Sequence, residues 1–163
     1  MAKNKEEKTN VMRVLEQKKI AYTPHSYPHE EGVAVDGVTV AKSMGFDPAI
    51  VFKTLVARGA SGQHYVFDVP VAENLDLKKA AKAVGEKSIE MIHQKELLPL
   101  TGYVHGGCSP VGMKKLFPTV FDATAEGLPK MIVSAGKIGF QVELAPGDLA
   151  ALVRAKFADI IVE

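Results

Sequence analysis

The residues best equipped for chemistry lie in one stretch, Gly102-Tyr103-Val104-His105-Gly106-Gly107-Cys108-Ser109-Pro110-Val111-Gly112-Met113-Lys114-Lys115. Gly106 and Gly107 can take backbone angles closed to other residues and let a ligand approach the main chain. A turn of this kind can aim several N–H groups into one concavity, where an oxyanion or phosphate would bind. It can equally be a tight turn between two strands, because Gly-rich turns are common. It contains neither G-x-G-x-x-G nor G-K-[ST], so neither a dinucleotide fingerprint nor a P-loop is supported. Cys108 could be a nucleophile, with His105 three residues before it. A reactive thiolate needs a base or a positive charge beside it. A lone cysteine is more often a small buried residue. Lys53 sits between apolar residues in Val51-Phe52-Lys53-Thr54-Leu55. It is either the solvent-facing member of an alternating strand or a point charge that holds a phosphate. In a regular strand Thr54 would face the other way, so a twist or bulge would be needed for both to reach one pocket.

The bulk numbers bound these options. A chain of 163 residues is expected to form one domain, spanning 1–163, and to bury roughly 70% of its unfolded surface. With 47% hydrophobic and 24% charged residues its composition is that of a globular protein. The net charge of +1 excludes nucleic-acid binding driven by overwhelming positive charge, though not a local basic patch. No apolar run reaches the ~18 residues of a membrane span. Residues 1–8 read as a charged, flexible tail without a secretory apolar core. The single cysteine makes no internal disulfide and fits a reducing, cytoplasmic setting. No Cys/His spacing suggests zinc.

The elements that must position these residues follow from periodicity. Val11, Val14 and Leu15 predict a helix capped by Thr9 or Asn10. Ile20 to Tyr27 reads as an edge strand broken by Pro24, and Tyr27 to Gly32 as a loop. Asp36 caps a helix that stops at Gly45. Val51–Ala57 and His64–Val71 form a hairpin. Leu75–Val84 is an amphipathic helix with Leu77, Ala80, Ala81 and Val84 inward and Lys78, Lys79 and Lys82 outward. A short strand spans Lys87–Ile92, and a helix over His93–Leu98 stops before Pro99. Strands follow at Thr119–Ala123, Lys130–Ser134 and Ile138–Leu144, the last with Gly139, Gln141 and Glu143 on its polar face. A helix opened by Pro146 and a closing strand end the chain. The sum is a single α+β domain around a mixed, largely antiparallel sheet.

Four pieces, in this order and spacing, resemble one family. They are Val51-Phe52-Lys53-Thr54-Leu55, Leu75-Asp76-Leu77-Lys78-Lys79-Ala80, the Gly102–Gly112 stretch, and Ser134-Ala135-Gly136-Lys137 with Val142-Glu143-Leu144. Together they resemble the YbaK/EbsC family of the prolyl-tRNA synthetase-associated editing superfamily, from about Val11 to Ile161. The resemblance implies hydrolysis of mischarged aminoacyl-tRNA, most typically Cys-tRNA(Pro), in trans beside prolyl-tRNA synthetase, with no metal or organic cofactor. It implies no membrane or DNA partner. Carried over by motif, it makes Lys53 and the main chain at Gly106 and Gly107 catalytic, with Gly106 to Pro110 as the family's GxxxP pattern. Tyr27, Thr54, Ser109, Ser134 and Gln141 would bind substrate. Ser134 could instead simply cap a turn. In the family the substrate's own cysteine thiol attacks the ester, so Cys108 is not required as a nucleophile, and His25 and His29 are read as ordinary loop histidines. Phosphate contacts are expected from Lys114, Lys115 and Lys137, and less distinctively from Lys78, Lys79 and Lys82. Two positions depart from the family. Gln141 stands where many members carry Asp, and Asp36 where they carry Phe. A neutral amide cannot supply a carboxylate's charge to an α-ammonium group. This leaves a deacylase for Ala or other small residues, or a non-catalytic regulatory binder, as alternatives.

Overall fold

The structure, a computed structural model, describes residues 8–163. The expected tail therefore lies outside the described residues, apart from Lys8. Among the described residues, five α-helices and eight strands form two sheets. Helix α1 (Asn10–Gln17) starts at Thr9, whose side chain accepts from the Met12 N–H, and buries Val11, Met12 and Leu15. Strand β1 (Thr23–Ser26) follows, then a loop and α2 (Gly37–Ser43), capped by Asp36. A 3-10 turn at Pro48–Ile50 leads into the hairpin of β2 (Phe52–Gly59) and β3 (His64–Pro70). Helix α3 (Leu77–Val84), strand β4 (Ile89–Met91) and α4 (Gln94–Thr101) come next. A long irregular segment leads to β5 (Thr119–Asp122). Strands β6 (Met131–Ser134) and β7 (Phe140–Leu144), helix α5 (Pro146–Val153) and strand β8 (Lys156–Ala158) complete the chain.

The five-stranded sheet has the order β4-β2-β3-β5-β8, with parallel pairing at β3–β5 and β5–β8. The other sheet, β1-β7-β6, is antiparallel. A parallel bridge from Val51 to Ile132 joins them at the entrance to β2. The largest core cluster lies where α1 and α5 cover the β6–β7 sheet, around Leu15, Phe121, Met131, Val142, Leu144 and Leu149.

Several expectations need correction. The strands make two sheets, not one central sheet, because β1 pairs with β7 across most of the chain. Helix α4 runs through Pro99 and ends at Gly102, whose φ is 88° and whose N–H bonds to the Leu98 carbonyl at 2.8 Å. In so short a helix proline forfeits a single intrahelical bond, and the left-handed glycine supplies the stop. Leu77 is exposed, at 41%, because it occupies the first position of α3, clear of the turn that Ala80 and Ala81 bury. The segment after Gly102 is not a turn between two strands; it connects α4 to β5.

Candidate functional site

Residues 101–114 form a loop closed at its neck. The Lys114 N–H bonds to the Thr101 carbonyl at 3.0 Å, and the Tyr103 N–H to the Thr101 hydroxyl at 3.0 Å. The Tyr103 hydroxyl donates to the Val111 carbonyl across the loop. At its tip, Gly106 has φ of 92°, and a Cβ there would lie 2.7 Å from Ala34 Cβ. A Cβ on Gly107 would lie 3.1 Å from the Ile138 nitrogen and 3.3 Å from Lys137 Cα. The tip is thus held between the loop before α2 and the turn between β6 and β7. Only glycine combines that dihedral with that closeness.

Beside this tip lies a cavity of about 340 Å³, toward the small end of ligand pockets. It curls round the start of β2, so Val51 through Leu55 all contribute to its wall. This explains how Lys53 and Thr54 reach one pocket although β2 pairs with β3 in unbroken register, without a bulge. Tyr27, Asp36, His105, Gly106, Cys108, Ser134 and Gln141 complete the polar and loop lining. Leu97 and Val71 add apolar wall.

The expected site residues divide accordingly. Lys53 is half-buried; burial pulls its ammonium below the usual lysine range, while the charges of Asp36 and Glu73 oppose this. Gly106 is at the wall, and among the described residues no hydrogen bond engages the N–H groups of Gly106 or Cys108. The Gly107 N–H, by contrast, bonds to the Val104 carbonyl at 2.9 Å, and Gly107 does not line the cavity. Its N–H closes the turn and is not available to an oxyanion. Ser109 is also displaced from its expected role. It is fully buried away from the cavity, where its hydroxyl accepts from the Val111 N–H at 3.2 Å. Ser134 does both things considered for it: it lines the cavity and accepts from the Gly136 N–H at 3.0 Å. Tyr27 is buried at the wall, its N–H bonded to the Gly139 carbonyl. Gln141 is buried and lines the cavity.

His25 and His29 stay outside the cavity. His25 pairs with Glu143 at 2.7 Å, and His29 bonds to the Tyr27 carbonyl and meets Phe140 edge-on. Burial, and then the nearby Asp68 charge, push the Cys108 thiol up to about 12. That is the reverse of an activated thiolate. Of the basic candidates, Lys114 and Lys115 are exposed near the loop's end, Lys114 reaching the Pro99 carbonyl at 3.4 Å and Lys115 lying 5.9 Å from the Phe117 ring. Lys137 lies over Phe140 at 5.6 Å. Lys79 is committed to Asp159, Glu163 and the Ile161 carbonyl, whereas Lys78 and Lys82 are exposed on α3. No group of three or more His, Cys, Asp or Glu among the described residues could hold a metal ion, and no described helix is long and apolar enough to cross a membrane.

The sequence model of the aminoacyl-tRNA editing domain matches residues 32–152, which carry all of this cavity except Tyr27. The chain belongs to the aminoacyl-tRNA editing domain family. A protein of Enterococcus faecalis (strain ATCC 700802 / V583), named as a candidate Cys-tRNA(Pro)/Cys-tRNA(Cys) deacylase, EbsC, is 45% identical over 161 residues, covering 98% of each chain. A solved structure described as a candidate trans-editing enzyme for prolyl tRNA synthetase superposes with a TM-score of 0.80 at 26% identity, over 97% of this chain and 100% of that one. The hypothetical protein APE2540 shares the fold, with a TM-score of 0.82 at 20% identity, over 93% of this chain and 99% of that one.

Within this editing domain one cavity-side residue escaped the sequence reading. Asp68 faces Thr54 across the β2–β3 ladder and accepts its hydroxyl proton at 2.5 Å. It is completely buried, and burial raises its carboxyl to about 7, the Thr54 hydrogen bond opposing the rise. A single Asp in an alternating strand carries no sequence signal of its own. The clue available was an acidic residue flanked by Phe67 and Val69 in a strand otherwise fit for burial on both faces.

Proposed function

We propose that this editing domain hydrolyses the ester of mischarged aminoacyl-tRNA, with Cys-tRNA(Pro) as principal substrate, in the cytoplasm and in trans beside prolyl-tRNA synthetase. The observation that carries the reading is the convergence of Lys53, Thr54, Gly106, Ser134, Gln141 and Tyr27 on one cavity from four separate stretches of chain. The family, the named relative and the trans-editing neighbour support it.

An aminoacyl ester is already activated, so the protein must place the acyl carbon, stabilise the oxyanion and admit a nucleophile. The open N–H groups at Gly106 and Cys108 are suited to the oxyanion; in other enzymes such a donor supplies ~3–4 kcal/mol. Lys53 holds the terminal ribose-phosphate with its ammonium. The substrate thiol attacks its own carbonyl: a C–S bond forms as the ester C–O bond breaks, the thiol proton passes to the departing ribose oxygen, and water then opens the released thiolactone to free cysteine. The raised pKa of Cys108 leaves the attack to the substrate. Lys114, Lys115 and Lys137 guide the acceptor end by phosphate contacts.

The test is deacylation of tRNA(Pro) charged in turn with Cys, Ala, Ser or Pro. Cys is expected to be released, and Lys53→Ala to slow release about 100-fold at unchanged folding. A protein that hydrolyses none of the four is not a deacylase. Asp36 and Gln141 at the wall favour a second reading, a deacylase for Ala and other small residues; faster release of Ala than of Cys would select it.

A further inference from the structure

Two buried acceptors have no donor among the described residues. Asp68 accepts the Thr54 hydroxyl at Oδ1, while its buried Oδ2 has no partner. Gln141 Oε1, on a residue only 6% exposed, is likewise unpartnered. A buried acceptor left open costs ~1–3 kcal/mol; Asp68 does not line the cavity but Gln141 does, so the open Gln141 Oε1 points to a ligand that brings a donor. Thr54 and Gln141 line the cavity, and Asp68 stands directly behind Thr54 in the ladder. A threonine hydroxyl has one proton. Because Thr54 gives it to Asp68, only its lone pairs remain for the pocket. The other carboxylate at the wall, Asp36, is exposed and accepts from the Thr39 N–H and hydroxyl at 3.2 and 3.3 Å, and its charge acts on Lys53.

We propose that Asp68 is a positioning residue that fixes the Thr54 hydroxyl as an acceptor, so that Thr54 and Gln141 together receive the α-ammonium group of the aminoacyl substrate. The proposal rests on the deacylase reading above and extends it. The acceptor beside Gln141 is thus set by a side chain of β3, a strand the sequence motifs do not mark.

The probes are 3′-cysteinylamino-3′-deoxyadenosine, whose amide resists deacylation, and its analogue with 3-mercaptopropionyl in place of cysteinyl, which lacks only the amino group. Both are titrated calorimetrically at neutral pH into the full chain. Wild type is expected to bind the amino probe about tenfold or more tighter than the deamino probe. Asp68→Leu and Thr54→Val are each expected to bring this ratio near one, Thr54→Ser to restore it, and the double variant Asp68→Leu/Thr54→Val to lower it no further. Thermal melts confirm that the near-isosteric variants are folded. A wild-type ratio near one, a ratio unchanged in Asp68→Leu, or effects that multiply in the double variant would overturn the proposal. So would a ratio that collapses only in Asp36→Asn, which would move the role to that carboxylate. Hydrolysis of Cys-tRNA(Pro) by a wild type that does not discriminate the probes would sink this proposal and leave the deacylase standing. Discrimination without hydrolysis of any charged tRNA would do the reverse.

Discussion

Asp68 costs this protein stability as the pH rises. Its carboxyl titrates near 7 in the native state and at 3.8 in the ordinary one, with burial as the main cause. Between those values the folded chain holds a proton that the unfolded chain has released, so stability falls with rising pH across that window and levels off above it. Urea unfolding at about pH 5 and about pH 8 should show wild type losing ~2–3 kcal/mol more than Asp68→Asn; parallel curves would refute the shift. Gly106 makes the opposite kind of prediction, about function. A methyl group there meets Ala34 and must adopt φ of 92°. Gly106→Ala should therefore lower single-turnover deacylation of Cys-tRNA(Pro) about 100-fold by displacing the tip, with a smaller effect on the melting temperature. At this scale the motifs led to residues that lie at one cavity, Lys53 and Gly106 among them. Gly107 and Ser109, neighbours within the same motif, lie off it. Which N–H closes a turn and which hydroxyl is sealed inside it depends on loop geometry that composition does not carry.

Elements were legible wherever a local signal decides them. Thr9, Asp36 and Asp76 all accept backbone N–H bonds at helix starts, as their residue types imply. Asp76 accepts from Lys78 and Lys79 at 2.9 and 3.0 Å, so Asp76→Ala should reduce unfolding free energy by ~1 kcal/mol while leaving the deacylation rate unchanged; chemical denaturation measures it. The β2–β3 hairpin was readable because its strands are adjacent and its turn is rich in glycine. Partners distant in sequence were not. The β1–β7 ladder links Thr23 to Glu143, and the parallel β3–β5 contact links Val66 to Thr119. Nothing in the periodicity of a strand names its neighbour. Alternation gives the side of a strand, as for Gln141 opposite Phe140 and Val142, and only the second layer decides whether that side is wet.

Taken whole, the molecule has too little net charge to bind nucleic acid by charge alone. With +1 overall, tRNA affinity must come from a few local cations, and each phosphate contact contributes about 1 to the slope of log K against log salt. The double variant Lys114→Ala/Lys115→Ala should flatten that slope by about 2 in a filter-binding titration, without changing probe binding in the cavity; an unchanged slope would remove both lysines from the tRNA path. The glycine-rich tip has a consequence in time as well as space. It belongs to no ladder and no helix, and its shape is imposed by Ala34 on one side and by Lys137 and Ile138 on the other. One brace is synthesised early and the other only near the end of translation. Contacts so far apart along the chain are slow to close. A nascent chain therefore carries the GxxxP residues long before it carries a pocket. The ability to act on charged tRNA should arise in one late step, once the β6–β7 turn has left the ribosome, so that no half-made copy is active.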